Sequence, residues 1–413
     1  MLKRKLLVLD ASFSYEAIVN RSLESSVTCR DLNGYFEHVW SVHPFASLVT
    51  SPEWNSVYGK PVSYLVNKSN TFIEGKVGRY LKLKKFSSLN FAISQLSVIY
   101  FLIKLINKEK ISVIRVGDPL ILGLMGYLLS KITGVPFLVR VGANNEKIRK
   151  STGNRMMPRL FKSVKQEQLI EKFVLSRADM VAGANEDNLN FAIYSGAKPE
   201  KCTLFRYGNL INEAHFIEPF KRISKPDDLP NAPFILTIAR LEIVKKVEDV
   251  IRVLAKVRES GIEIKALIVG DGRERQKMEE LAEKLNVLND VIFCGNKDQN
   301  WLASVIPLAE VVISPHTGRA LTEAALGGAP IAAYDVDWQK ELIESGVTGE
   351  IVKYGDWEQL AKATIKLIVE RNYALKVGQN VRIKALEMMD PNMLNSHEIK
   401  IYDYLINKSV KSH

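Results

Sequence analysis

The chain has 413 residues, too many for one hydrophobic core, so two or three domains are expected. Hydrophobic residues make up 46% and charged residues 25%, ordinary globular values that exclude a disordered, collagen-like or small disulfide-stapled protein. The net charge of +11 is uneven: residues 1–220 hold 30 Lys and Arg against 18 Asp and Glu, and the rest hold 27 against 28.

A basic first half suits an acidic partner, whether nucleic acid, anionic lipid or a phosphorylated substrate, although a solvated basic face has the same composition. Cys29, Cys202 and Cys294 are odd in number and far apart, unlike a disulfide framework or a zinc site.

In chain order, the apolar stretch Leu6 to Leu9 is interrupted by Asp10. It is too short for a signal peptide and reads as a first strand over 5–9. Further strands are expected at 111–116, 136–141, 179–183 and 201–206, with helices over 90–107, 119–133 and 163–177. The stretch 119–130 comes nearest to a membrane span but falls short of about 18 apolar residues, so a soluble cytoplasmic protein is expected. Residues 218–233 carry four prolines among mixed charges, a linker composition.

The second half alternates more cleanly. A strand at 233–241 precedes Val247, Val250, Ile251, Leu254 and Val257 at helical spacing. Strands at 264–270, 291–295, 310–314 and 329–334 follow, with helices near 300–307, 320–327 and 338–344. Continuous apolar strands alternating with helices argue parallel sheets covered on both faces. The expected fold class is α/β: two Rossmann-like, doubly wound parallel-sheet domains facing a cleft, with a C-terminal helical tail. The boundaries read are 1–218 (N-terminal domain), 219–232 (linker), 233–385 (C-terminal domain) and 386–413 (tail, packing back on the N-terminal domain).

In such sheets ligands sit at strand-to-helix turns. The first informative turn runs from Ile238 to Lys246 and presents Arg240 and Lys245. A diphosphate uses both, because Arg grips two oxygens and Lys neutralises as a point charge. The second turn is Ser314-Pro315-His316-Thr317-Gly318-Arg319-Ala320-Leu321-Thr322-Glu323. A helix begins near Arg319, and its free N–H groups suit a phosphate. Glu323 stands where a carboxylate can accept from ribose hydroxyls, or simply complements the helix dipole.

The ordered set Arg240-Leu-x-x-x-Lys245, VGDG, FCG and Glu323-Ala-Ala-Leu-Gly-Gly-Ala-Pro-Ile331 resembles the donor domain of a GT-B glycosyltransferase. It is most similar to the retaining, family 4-like "group 1" enzymes. The likeness is strong over about 233–370 and only architectural over 1–218. By that resemblance Arg240 and Lys245 hold the donor diphosphate, and Glu323 holds the ribose. The backbone from Gly318 through Arg319 and Ala320 to Leu321 meets phosphates and sugar, and Gly295, Asn296 and Lys297 lie by the base. The donor is then a nucleotide diphosphate sugar, with no cofactor and no metal. The acceptor is a glycan or lipid-linked molecule at the N-terminal domain, where Asn144 and Asn145 follow a strand.

Departures from the family pattern stand out. A glutamate expected eight residues before Glu323 is replaced by Pro315, with His316 or Arg319 as substitutes; Lys246 replaces a common glycine. Asp335-Val336-Asp337 has the form of a metal-holding pair, but its late position in a strand-to-helix turn fits helix capping. Val269-Gly270-Asp271-Gly272 lacks the third glycine of a dinucleotide fingerprint. The alternatives are a sugar-nucleotide epimerase of the same fold, a catalytically degenerate relative or a nucleic-acid binder. The last is disfavoured because the basic residues lack interleaved stacking aromatics. Two basic groups, Lys76, Arg79, Lys82, Lys84 and Lys85, then Lys147, Arg149, Lys150, Arg155, Arg159, Lys162 and Lys165, border apolar residues. They make a peripheral position on an anionic inner membrane face an expectation.

Overall fold

The computed structural model describes residues 4–20, 23–48, 59–76, 86–158, 160–219 and 226–411. The chain divides into two units: Met1–Leu210 with Pro391–His413, and Ile211–Asp390. The division thus falls at 210 and 390, where the sequence pattern placed boundaries at 218, 233 and 385.

Strands β1 (Lys5–Leu9), β2 (His38–His43), β3 (Val62–Asn67), β4 (Asn70–Glu74), β5 (Val113–Val116), β6 (Phe137–Val141), β7 (Met180–Gly183) and β8 (Cys202–Leu204) form the first sheet. Their order is β3-β4-β2-β1-β5-β6-β7-β8, parallel except where β3 turns back on β4. The sheet is therefore mixed rather than wholly parallel. The composition missed β2, β3 and β4. The short edge hairpin β3–β4 turns through Lys68 and Ser69 without a glycine, and Asn67 closes the turn by accepting the Ser69 N–H at 2.9 Å. One sheet face packs helices Ser87–Glu109, Ile121–Thr133 and Val164–Arg177 through Val98, Leu102, Leu122, Leu129 and Val174. The other carries Leu6, Val8, Val113 and Leu138 against Tyr402 and Leu405 of the tail helix Pro391–Lys411.

The helix Ser87–Glu109 corrects the sequence reading. Its most apolar 18-residue window, within 88–109, has a mean hydropathy of 1.7, and the helix is long and apolar enough to cross a membrane by length and composition. Scattered Ser, Asn, Gln and Lys residues hid it from a count of unbroken apolar residues. Only 28% of its most apolar window is buried. Val98, Leu102 and Ile106 face the core, whereas Leu89, Leu96 and Tyr100 are exposed.

The basic groups are corrected too. Arg79, Lys82, Lys84, Lys85 and Arg159 lie outside the described residues. Lys76 is buried, and desolvation lowers its pKa. Arg149 is buried against Glu167 and Glu171, at 3.3 and 2.8 Å. Lys147 pairs with Asp187, Lys150 with Glu146, and Arg155 donates to the Phe161 carbonyl. Much of that charge is thus compensated inside the unit.

The second unit holds β9 (Phe234–Ile238), β10 (Lys265–Val269), β11 (Val291–Gly295), β12 (Val311–Ser314), β13 (Ile331–Asp335) and β14 (Glu350–Lys353). The order is β11-β10-β9-β12-β13-β14, all parallel. Val247, Val250, Ile251, Leu254 and Val257 are fully buried, so the helical spacing marked the core face. Each such side chain contributes roughly 1.5–3 kcal/mol on burial. Because β10 and β12 flank β9 on opposite sides, the ligand-prone crevice lies at the carboxyl ends of β9 and β12.

Candidate functional site

A cavity of about 290 Å³ occupies that place, lined by Arg240, Lys245, Asn296, Lys297, His316, Gly318, Arg319, Ala320 and Glu323, among others. Residues from three separate turns thus converge. Gly295 ends β11 immediately before Asn296 and accepts the Gly270 N–H at 2.8 Å. Leu321 does not line the cavity: it is 1% exposed in the core, and its N–H already bonds the Gly318 carbonyl. The N–H groups of Arg319 and Ala320, at the start of helix Arg319–Leu326, have no backbone partner among the described residues.

The glycines of VGDG work through close packing rather than phosphate binding. A Cβ on Gly270, whose φ is +128°, would overlap the Ala239 carbonyl oxygen, and one on Gly272 would overlap that of Leu241. This close approach lets Ala239 donate to Val269 at 3.0 Å and Leu241 to Asp271 at 3.1 Å. Arg240 is held between those two anchors. Lys246, which departs from the glycine of the resembled pattern, adopts φ 53°. The left-handed turn is retained at a cost of about 1–2 kcal/mol.

Lys245 reaches across the cavity. Its Nζ donates to the Thr317 carbonyl at 2.9 Å and to His316 Nδ1 at 3.3 Å. Desolvation chiefly, then Arg240, lowers its pKa, against the raising effect of Asp337. For His316 burial, followed by Lys245, keeps the pKa below the usual imidazole value. The ring is therefore neutral near neutral pH, and its Nδ1 stands 3.3 Å from both the Lys245 ammonium and the Thr317 carbonyl, one a donor and the other an acceptor.

Glu323, one turn into helix Arg319–Leu326, is 4% exposed. Burial pushes its pKa up to about 7 despite Arg319, and no described residue hydrogen-bonds its carboxylate. An ionisable group buried without a partner in a polar cavity marks a functional position. Lys297 is less available, being paired with Asp228, whose other oxygen accepts from Trp301 Nε1 at 3.0 Å.

Three contributors escaped the sequence reading. Gln339, fully buried, bonds Ser314 and the Tyr334 carbonyl and so ties the ends of β12 and β13. Thr237 donates to the Ile313 carbonyl at 3.0 Å, and Gln299 lines the cavity. A buried amide on a short helix has no motif to announce it. Asp335 is half exposed and lies 3.9 Å from Lys340. Among the described residues no group of three His, Cys, Asp or Glu side chains forms a metal ligand set.

Asn144 and Asn145 belong to the other unit. Asn144 caps helix Asn145–Thr152 and donates to Asp187 at 3.1 Å, while buried Asn145 donates to Glu171 at 2.7 Å. Both are engaged in the architecture, although Asn144 also borders a hollow of about 750 Å³.

The fold, two Rossmann-like domains on largely parallel sheets and a helical tail, is GT-B. Residues 220–384 match the family model described as glycosyl transferases group 1. Among solved structures, the chain is similar to Anabaena HepE in complex with UDP and glucose, with TM-score 0.66 and 15% identity over 97% of this chain and 100% of that one. It is also similar to sucrose-phosphate synthase from Thermosynechococcus elongatus, with TM-score 0.71 and 17% identity over 98% and 100% of the two chains. At these identities the likeness concerns the fold. N-acetyl-alpha-D-glucosaminyl L-malate synthase of Bacillus anthracis is 24% identical over 57% of this chain and 62% of its own length. Phosphatidyl-myo-inositol mannosyltransferase of Mycobacterium leprae is 26% identical over 38% and 42%. The chain therefore spans less than two thirds of these curated relatives.

Proposed function

We propose that the protein is a glycosyltransferase that moves a sugar from a nucleotide diphosphate sugar to an acceptor, with retention. The observation that carries this reading is the meeting of Arg240, Lys245, the N–H groups after Gly318 and unpartnered Glu323 in one cavity. As the sugar–phosphate bond breaks, charge develops on the departing diphosphate. The Arg240 fork, the Lys245 ammonium and the helix N-terminus stabilise it without reorganising. Ionised Glu323 accepts from the ribose hydroxyls. His316 supplies an imidazole to the sugar or phosphate where Pro315 leaves no carboxylate. The similarity to a UDP-bound structure supports a uridine donor as the first to test.

A panel of UDP-, GDP- and ADP-sugars, scored for hydrolysis and transfer, tests the reaction. Each charge-assisted contact is worth roughly 1.5–3 kcal/mol, so Lys245→Ala and Arg240→Ala should each weaken nucleotide binding about 10- to 100-fold. Unchanged affinity in both variants overturns the assignment. Because protein cations supply the charge in this reading, full activity is expected in EDTA. Loss in EDTA with rescue by Mn²⁺, abolished in Asp335→Ala, would transfer that role to a metal.

A cytoplasmic protein resting on an anionic membrane, with a lipid-linked or glycan acceptor, completes the proposal. The exposed side of helix Ser87–Glu109 supports it, with Leu89, Leu96 and Tyr100 at helical spacing and exposed Phe86 just ahead of the helix. Lys104 and Lys108 follow on the same helix. A face of this kind suits the headgroup boundary of a bilayer.

A further inference from the structure

The first unit has its own switch point, because β2 and β5 flank β1 on opposite sides. A cavity of about 120 Å³ lies there, lined by Asp10, Cys29, Arg30, Arg115, Arg140 and Glu398, among others. Asp10 follows β1, while Arg115 and Arg140 are the penultimate residues of β5 and β6, near the carboxyl edge that open α/β sheets use for ligands.

The charges in this cavity do not balance. Arg30 is satisfied, pairing with Asp10 and donating to Ser41 Oγ at 2.9 Å. Arg115 stands 3.6 Å from Glu398 and donates to Tyr402 at 3.3 Å. Arg140 donates to the Phe205 carbonyl at 3.1 Å, but its buried Nε has no hydrogen-bond partner. Among the described residues no carboxylate forms an ion pair with Arg140. Glu398 Oε2 likewise lacks a hydrogen bond. Three cations thus share two carboxylates. Desolvation first, then Arg115, lowers the Arg140 pKa, and desolvation raises that of Glu398. A buried guanidinium N–H left without a hydrogen bond is unfavourable, and an anion entering the cavity would remove that penalty.

We propose that this cavity is an oxyanion site in which Arg140 and Arg115, with Arg30 beside them, hold one carboxylate or phosphate group of a small molecule. Planar guanidinium forks match either group bidentately. The volume admits one such group and excludes a nucleotide. Binding here does not depend on the transferase reading; only the assignment of the group to the acceptor rests on it.

The full chain is tested with inorganic phosphate and with succinate, at matched ionic strength. Because phosphate can also occupy the Arg240–Lys245 site, melting is followed in Lys245→Ala protein. Occupancy is localised by maleimide modification of Cys29, mapped on its peptide. One or both anions should raise the melting temperature and slow Cys29 modification. Phosphate alone points to a phosphomonoester and succinate alone to a carboxylate. Arg140→Gln should weaken the binding about tenfold or more. If that variant does not fold, Arg140→Lys, which keeps the charge and loses the fork, should weaken it as well. Absence of a melting shift with both anions overturns the proposal and leaves the arginines as anchors of the tail helix. An equal shift in wild type and variant overturns it too. Nucleotide binding by Lys245→Ala reports separately on the donor site, so either reading can fail without the other.

Discussion

At the scale of single residues, Glu323 would tie protonation to ligand binding in the proposed donor site. Its folded pKa, about 7, lies above the ordinary carboxylate value of 4.5 because it is buried. The unliganded folded state therefore favours the protonated form. The stability associated with that proton is fully present below the unfolded pKa and is lost as pH rises through the folded one. The loss is about 3 kcal/mol for a shift of this size. Ribose hydroxyls donating to the carboxylate favour its ionised form. Affinity for a UDP-sugar should therefore rise between about pH 6 and 8, and this pH dependence should vanish in Glu323→Gln. The variant should also melt no lower than wild type above neutral pH without ligand. Calorimetry across this range checks the first point and thermal melting the second. A flat affinity profile in the wild type would remove Glu323 from the ribose site.

At the scale of elements, the packing of turn against turn sets the geometry of the site. Gly270 illustrates this: its positive φ and its contact with Ala239 leave no room for a side chain. Gly270→Ala should cost about 2–4 kcal/mol and weaken nucleotide binding, because relief of the clash displaces the Ala239–Leu241 segment that aims Arg240. A variant with wild-type melting and affinity would show that the contact is dispensable. The same packing explains what the sequence revealed. Arg240, Lys245, His316 and Glu323 were legible because they sit at fixed offsets on strand-to-helix turns. Buried Gln339 and Thr237 were not, because their role is to tie strands distant in sequence. The second sheet was readable from β9 to β13 through continuous apolar strands. Strand β14, EIVK, is short, with polar residues at both ends, and was missed. In the first unit β3 has alternating burial on a sheet edge, and β4 depends on its pairing with β2 and β3. Tertiary pairing, rather than propensity, decides such strands.

At the scale of the whole molecule, the basic excess of the first half separates into internal and external charge. Arg30, Arg115 and Arg149 are buried and serve pairing or the oxyanion cavity, so they cannot draw the protein to a surface. What remains outward includes Lys104 and Lys108, which follow the apolar face of helix Ser87–Glu109. Phe86, Leu89, Leu96 and Tyr100 are each more than half exposed, an arrangement costly in water and favourable at a lipid boundary. Each lysine near an anionic bilayer adds about 1 kcal/mol, and screening beyond the Debye length makes that part salt-sensitive. The protein should therefore co-sediment with anionic vesicles and not with neutral ones, and added salt should release it. Leu96→Ser with Tyr100→Ser should reduce sedimentation at all salt concentrations, because the apolar contribution is lost. Charge reversal at Lys104 and Lys108 should reduce it chiefly at low salt. Neither pair should change nucleotide affinity, since the cavity lined by Arg240 and Lys245 belongs to the other unit. Wild-type protein that ignores anionic vesicles at low salt would defeat the membrane reading. The exposed helix face would then require a different partner.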